Sequence, residues 1–462
     1  MMGRFAGKAA ATGLAVFLLA AAAPFLRADA GAADAVVTIN PVERFQTISG
    51  WEATAEMGGE YDLTKPPPWS AEVIDRAVDE VGINRIRLEA TSGIESDANA
   101  WRRLVSREID MNVWRPLRYE TKNDNDDPHV INPDGFDFSE LDWRTETVVL
   151  PLMRKLGERG ERLYVNLCYV SFLNVGKNLH YDHDDPEEYA EFMLATFQHL
   201  KEKYDLVPDA LEVILEPDLT PFWSVNGGKR IGAAIEATAQ RLDAAGFHPE
   251  FIAPSVTNMS KAPGYIDGIM KNKTARERIA EFSYHRYRGA TPIALASIAA
   301  KAKRYSKRTS MLEYWGGKGK PEILHADLKD GMNSAWQARA LAGYFSIKKN
   351  PNGYVAKLNK DTHFNRLYFQ AARAGWTRIG ADTSNAEFDP VAFQSPMGEG
   401  SIVIQAARAG EVDVKGLPPG RYQIEVALDG LVLRTEAAET RDGNVRIVFP
   451  AKGYGSIRPA RS

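Results

Sequence analysis

Two glutamates close apolar runs in this chain of 462 residues. In LEVILEPDLT (211–220), Leu211, Val213, Ile214 and Leu215 lead to Glu216, which Pro217 and Asp218 follow. In TSMLEYW (309–315), Met311 and Leu312 lead to Glu313. A carboxylate placed where a buried strand meets water can serve as acid, base or nucleophile. Two of them, one ionised and one carrying a proton, suit double displacement at an acetal carbon if they approach to about 5–5.5 Å.

The elements that must position them follow from periodicity. From Phe45 to about Gly375, short apolar runs alternate with helical patterns. The strands read as FQTISGW (45–51), INRIRLEA (83–90), RLYVNLCYV (162–170), LEVILE (211–216), EFIAPS (250–255), EFSYHRY (281–287), TSMLEYW (309–315) and GYVAKLN (353–359). Between the third and fourth, DPEEYAEFMLATFQHLKEKY begins a helix with Pro186 in the first turn and acids after it, as the macrodipole favours. Eight strands with intervening helices predict a (β/α)8 TIM barrel. An open doubly wound sheet is disfavoured because no strand is followed by a Gly-rich phosphate loop.

Chemistry on such a barrel sits at the C-terminal strand ends. There Glu216 closes strand four and Glu313 closes strand seven, across the mouth from one another. The same ends carry Trp51, Glu52, Arg87, Glu89, Tyr169, His285, Tyr287 and Trp315. Tyr287 is two residues beyond His285 and therefore on the same strand face. The flat rings of Trp51, Tyr169, Trp315 and Trp223 suit stacking on pyranose C–H surfaces, or equally the core. Glu52 and Glu89 read as partners of arginines. The long segment from Thr91 to about Leu141, rich in Asp, Asn, Trp and Tyr, has the character of an insertion that shapes a cleft. Its NDNDDP run (123–128) holds calcium-type ligands, but the register fits no known loop and reads as a solvated acidic turn.

After Arg373 the pattern changes to short alternating strands separated by Gly, Pro and Asp, the pattern of an antiparallel β-sandwich over 376–462. The strand-like AVVTINP (35–41) precedes the barrel, so residues 31–44 are expected to pair into that sandwich, leaving 45–375 as the barrel. Residues 1–30 have the layout of a cleavable signal peptide: Arg4 and Lys8, an alanine-rich apolar stretch, then Ala28-Asp29-Ala30. A secreted or periplasmic protein is the implication, and no other segment is apolar enough to cross a membrane. With Cys168 as its one cysteine, the chain has no intrachain disulfide, and Cys168 in an apolar strand reads as a structural thiol. A formal net charge of −4 without a basic block argues against nucleic acid.

At this point the motifs resemble clan A glycoside hydrolases, most closely glycoside hydrolase family 30 with its glucosylceramidases and xylanases. FQTISGWEATAE is similar to that family's opening strand, and INRIRLEATSG to its second, where Arg87 falls on the arginine that contacts the catalytic carboxylates. LEVILEPDLT resembles the fourth-strand Asn-Glu-Pro, YHRY the sixth-strand His-x-Tyr, and SMLEYW the seventh-strand nucleophile region. YFQAARAGWTRIGA, VAFQSPMGEGSIVIQA and VKGLPPGRYQIEV resemble the passage from the last helix into the β-sandwich. The resemblance implies a retaining glycosidase with Glu216 as acid/base, Glu313 as nucleophile, Arg87, Trp51, Tyr169, His285, Tyr287 and Trp315 around the substrate, a carbohydrate ligand and no cofactor. A carbohydrate-binding protein without catalysis, or a transglycosidase, would use the same scaffold. Three departures stand out. Leu215 replaces the asparagine that hydrogen-bonds the sugar 2-hydroxyl, LCYVSFLNVG replaces a third-strand tryptophan-proline, and Lys357 and Asn359 occupy the eighth strand where an aromatic platform is expected.

Overall fold

The structure, a computed structural model, describes residues 32–58, 63–172, 182–316, 319–429 and 431–460. The expected signal peptide lies outside the described residues. No helix among the described residues is long and apolar enough to cross a membrane.

Eight parallel strands close into a barrel: β2 (Gly50–Thr54), β3 (Arg85–Thr91), β4 (Tyr164–Val170), β5 (Ala210–Glu212), β6 (Glu250–Asn258), β7 (Ile279–Arg288), β8 (Arg308–Glu313) and β9 (Asn333–Ala340). Before them, β1 (Ala35–Thr47) belongs to a second sheet, and after them β10 (Phe345–Asn350) and β11 (Gly353–Leu358) form a separate antiparallel pair. The remaining strands are β12 (Thr377–Thr383), β13 (Phe388–Gln394), β14 (Gly400–Ala406), β15 (Gly410–Lys415), β16 (Gly420–Leu428), β17 (Leu431–Thr440), β18 (Val445–Phe449) and β19 (Gly453–Pro459). With β1 they make a nine-stranded, mostly antiparallel sheet in the order β17-β16-β19-β14-β13-β12-β1-β15-β18. The fold is a TIM barrel with a C-terminal β-sandwich.

Burial alternates along β1, with Ala35, Val37 and Ile39 turned into the sandwich core against such residues as Phe388, Ile447 and Phe449. The barrel core is larger and lies between the strands and their surrounding helices. A buried ion pair, Arg366 Nη2 to Glu425 Oε1 at 3.0 Å, joins the last helix of the barrel to β16.

Two strand expectations change. FQTISGW spans the join of two elements: β1 runs to Thr47, and the barrel strand begins at Gly50. The eighth barrel strand is β9 rather than 353–359. A barrel strand must be buried on both faces, and all eight residues of β9 are, whereas Lys348, Lys349 and Lys357 in the hairpin are exposed. The aromatic that the expected eighth strand lacked is present in the real one as Trp336. It points outward, donating its indole N–H to Asp327 Oδ2 at 3.0 Å.

Candidate active site

The barrel interior is polar in two layers. The lower one centres on Arg85 of β3, whose guanidinium takes Glu281 in a fork at 2.8 and 3.0 Å and donates Nε–H to Glu52. Beside it Asn166 donates to Glu212 at 2.8 Å, and Ser255 donates to the other oxygen of Glu212 at 2.5 Å. Glu52, Arg85, Glu212 and Glu281 are all wholly buried. Burial, with the charge of Glu212, pushes the Glu52 carboxyl up to about 7 against the pull of Arg85.

One pleat repeat further along β3, Arg87 reaches the mouth. Its Nη2 donates to Glu313 Oε2 at 2.5 Å, and Nη1 donates to the carbonyl of Leu312 at 3.3 Å. Glu89 Oε1 lies 3.4 Å from the same guanidinium. Tyr287 of β7 donates its hydroxyl to Glu313 Oε1 at 2.9 Å and accepts the Trp315 backbone N–H at 3.0 Å. Both oxygens of Glu313 are thus occupied by donors. Burial alone would raise its carboxyl, but Arg87, His285 and these hydrogen bonds outweigh it and hold the group below the usual carboxylate range.

Glu216 is reached differently. β5 is only three residues long, yet Val213, Leu215 and Glu216 continue its direction through N–H donations to Ile252, Tyr169 and Ser255 carbonyls. Glu216 itself adopts φ 52°, ψ 52°, and its neighbour Ser255 has φ 50°. Left-handed backbone at a non-glycine residue is a strain that clusters at functional sites. Pro217 then opens a 3-10 turn, and Asp218 accepts the N–H groups of Thr257 (2.7 Å) and Asn258 (3.1 Å) at the end of β6. The Glu-Pro-Asp triplet is therefore one device: a carboxylate at the mouth, a stiff turn, and a second carboxylate that fastens the turn to the next strand.

His285 Nδ1 lies 3.0 Å from Glu216 Oε1. Burial opposes charge on the imidazole, but the hydrogen bond to Glu216 and the charges of Glu313 and Glu216 hold its pKa above the ordinary value. One ligand atom each from Glu216, His285 and Glu313 fall within 4.8 Å of one another. Glu216 and Glu313 keep 7 % and 9 % exposure, enough to meet a solute, unlike the sealed glutamates below.

The structure thus brings together Glu216, Glu313, Arg87, His285 and Tyr287, with Trp315 at the rim and its indole N–H without a hydrogen-bond partner among the described residues. It does not bring Trp51 or Tyr169 to them. Trp51 faces out of the barrel, stacked on Phe369 at 4.6 Å with its N–H donated to the Ala372 carbonyl, so it belongs to the core. Tyr169 also faces outward, sharing a hydrogen bond with His183 Nδ1 at 2.8 Å and packing edge-on against Tyr189 and Phe192. Trp223 is core too, edge-on to Tyr189. Glu52 serves the lower layer. Leu215 sits in a small apolar cluster with Cys168 and Val170, backed by Tyr119 and Phe172, which also accounts for the buried cysteine.

Sequence reasoning named no cleft residue within the insertion after β3. Its helices, Ala100–Val105, Met111–Leu117 and Ser139–Arg144, frame a cavity of about 1320 Å³ lined by Trp101, Trp114, Trp143, Arg118, Tyr119 and Arg144 among others. Tyr119, in that lining, also packs on the Leu215 cluster, so the cavity adjoins the mouth. The tryptophan content of the segment was the available signal.

No protein-family model matches the sequence, and no curated protein matches it. Solved structures do. A GH30 endoxylanase from Clostridium papyrosolvens C71 superposes with TM-score 0.63 at 17 % identity, covering 91 % of this chain and 99 % of that one. The catalytic domain of GH30 xylanase C from Talaromyces cellulolyticus gives 0.66 at 14 %, covering 92 % and 100 %. An endo-β-1,6-glucanase gives 0.62 at 15 %, covering 94 % and 96 %. Along nearly its whole described length, barrel and sandwich alike, the chain has the fold of family 30 glycoside hydrolases.

Proposed function

We propose that this protein is an exported, retaining glycoside hydrolase that cleaves a polysaccharide, oligosaccharide or glycoconjugate. The observation that carries the reading is the carboxylate pair at the mouth, with oxygens within 4.8 Å and unlike surroundings. Inverting enzymes hold their carboxyls about 6.5–9.5 Å apart to admit a water, and retaining ones about 5–5.5 Å. Glu313, held ionised by Arg87 and Tyr287, attacks the anomeric carbon. Glu216 delivers a proton to the glycosidic oxygen as the C–O bond breaks, leaving a glycosyl ester on Glu313. Glu216, now a carboxylate, takes a proton from water, which attacks the anomeric carbon and releases Glu313. His285 orients Glu216 through its Nδ1 contact. The Trp315 N–H, without a partner among the described residues, can donate to a sugar hydroxyl.

Screening the protein on polysaccharides and aryl glycosides identifies a substrate. On it, Glu313→Gln and Glu216→Gln each lower kcat/KM by about 10³-fold or more, and NMR of the first product shows the substrate's anomeric configuration. Full activity in either variant rejects the assignment, and an inverted product rejects the mechanism.

The apolar setting of Leu215 favours a second reading, a carbohydrate-binding protein without turnover. It predicts saturable saccharide binding that both variants retain and no product at any enzyme concentration.

A further inference from the structure

Away from the mouth, a second acidic group faces the helix Pro186–Tyr204 from the insertion. The helix contributes Glu188 and Glu191 from its first turns, and the insertion contributes Glu95, Asn123 and Asp124. Glu191 is 1 % exposed, and its Oε1 has no hydrogen-bond partner. Asn123 Oδ1 and Asp124 Oδ1 are buried and unpartnered as well. Glu95 is committed elsewhere, accepting the Asp124 N–H at 2.9 Å on one oxygen and pairing with His183 through the other. Asn123 lies beside Glu188 and opposes the rise that burial gives its carboxyl.

Among the described residues no basic side chain hydrogen-bonds these oxygens. Arg241 acts on Glu191, but its guanidinium is engaged by Glu187 (3.1 Å), the Pro128 carbonyl (2.6 Å) and His129 Nδ1 (2.8 Å). Burial, reinforced by Asp124, Glu188 and Glu95, pushes the Glu191 carboxyl up to about 8. Buried acceptors without donors cost free energy unless an ion or water meets them. Two carboxylates and an amide oxygen are hard ligands of the kind calcium takes, usually with water completing six to eight positions. A zinc-type site would need thiolate or imidazole, and the nearby His183 is already held by Glu95 and Tyr169.

We propose that Asn123, Asp124 and Glu191, with Glu188 beside them, hold a calcium ion that ties the insertion after β3 to the helix Pro186–Tyr204. The acidic run is thereby divided in function. Asp126 and Asp127 are solvated, while Asn123 and Asp124 turn inward. Among the described residues only Glu216, His285 and Glu313 place three acidic or histidine ligand atoms within 4.8 Å, so the new site relies on the amide and on water. Because the same insertion walls the large cavity, the ion would hold one side of the cleft in place.

The test uses the whole chain stripped with a chelator, titrated calorimetrically with calcium chloride and followed by thermal denaturation. One ion binds per chain, with affinity at or above the millimolar range of extracellular modules, and saturation raises Tm by a few degrees. Asp124→Asn and Glu191→Gln each weaken calcium binding at least tenfold, while Glu313→Gln leaves it intact. Asn123→Ala, the mildest change, lowers affinity without threatening the fold. Absence of calcium binding to the wild-type chain overturns the proposal, as does binding that survives Asp124→Asn and Glu191→Gln or disappears in Glu313→Gln.

Discussion

Arg85 and Arg87 are two residues apart on one strand, both wholly buried, Arg85 gripping glutamates from two other strands and Arg87 gripping Glu313 from one. Their surroundings differ. Arg85 forks onto Glu281 and reaches Glu52 in a layer sealed from water, and each of its guanidinium nitrogens has a partner. Arg87 holds Glu313, which keeps a path to solvent, and its own Nε has no partner. The contrast teaches that a buried ion pair in a barrel can meet a solute only where one member stays accessible. The lower layer organises the barrel, and the upper one has capacity left for a substrate.

Substituting the two arginines separates these roles. Arg85→Met removes the direct cation of Glu52 and leaves Glu281 only the longer contact to Arg308 at 3.5 Å, and breaking such a buried pair costs about 3–5 kcal/mol. The urea midpoint should fall accordingly, with near-native activity in the molecules that remain folded. Arg87→Met should cost less stability because Glu313 retains Tyr287 and reaches water. Its larger consequence is on catalysis. Without the guanidinium the Glu313 carboxyl rises, so the acid limb of the pH–kcat/KM profile moves to higher pH. Equal stability losses with an unshifted profile would erase the distinction between the layers.

The smallest effect concerns Glu52. Its folded carboxyl, pushed up to about 7, binds a proton more tightly than in the unfolded chain. Its contribution to stability is therefore full below the ordinary glutamate range and is lost as pH rises through about 7. Glu52→Gln should flatten that part of the curve of denaturation midpoint against pH. An unchanged slope would mean that Glu52 stays ionised beside Arg85.

Much of this was legible in the residues, and the exceptions share a cause. Polar residues marked which face of a strand points inward: Arg85, Arg87 and Glu89 at period two could only face the barrel interior. The same parity turns Trp51 and Tyr169 outward, because Glu52 and Asn166, one and three residues away, face the interior; the expectation that both rings line the cleft passed over that mark. The closing strand β9, NSAWQARA, lacks a β-branched run and hides its register among small and polar residues. The hairpin strand β11 looked more strand-like because it is one, in a different sheet. The barrel and sandwich survived these errors because they rest on the number and order of elements. The insertion after β3 was readable as a cleft wall, but its lining residues were not, since its helices are short and meet only through tertiary packing.

β1 has a further consequence, for the order in which the chain can fold. Val37 of this early strand faces Thr383 on one side and Val414 on the other. Pairings that distant in sequence form slowly, because the intervening chain must be closed first. Until β12 and β15 have been synthesised, both edges of β1 are open templates for a wrong partner. The strand that opens the barrel follows two residues later and inherits that uncertainty. The sandwich thus acts as a late checkpoint: a chain truncated before β15 carries a nascent barrel whose first strand has no settled anchor, and aggregation rather than a smaller stable domain is its expected fate.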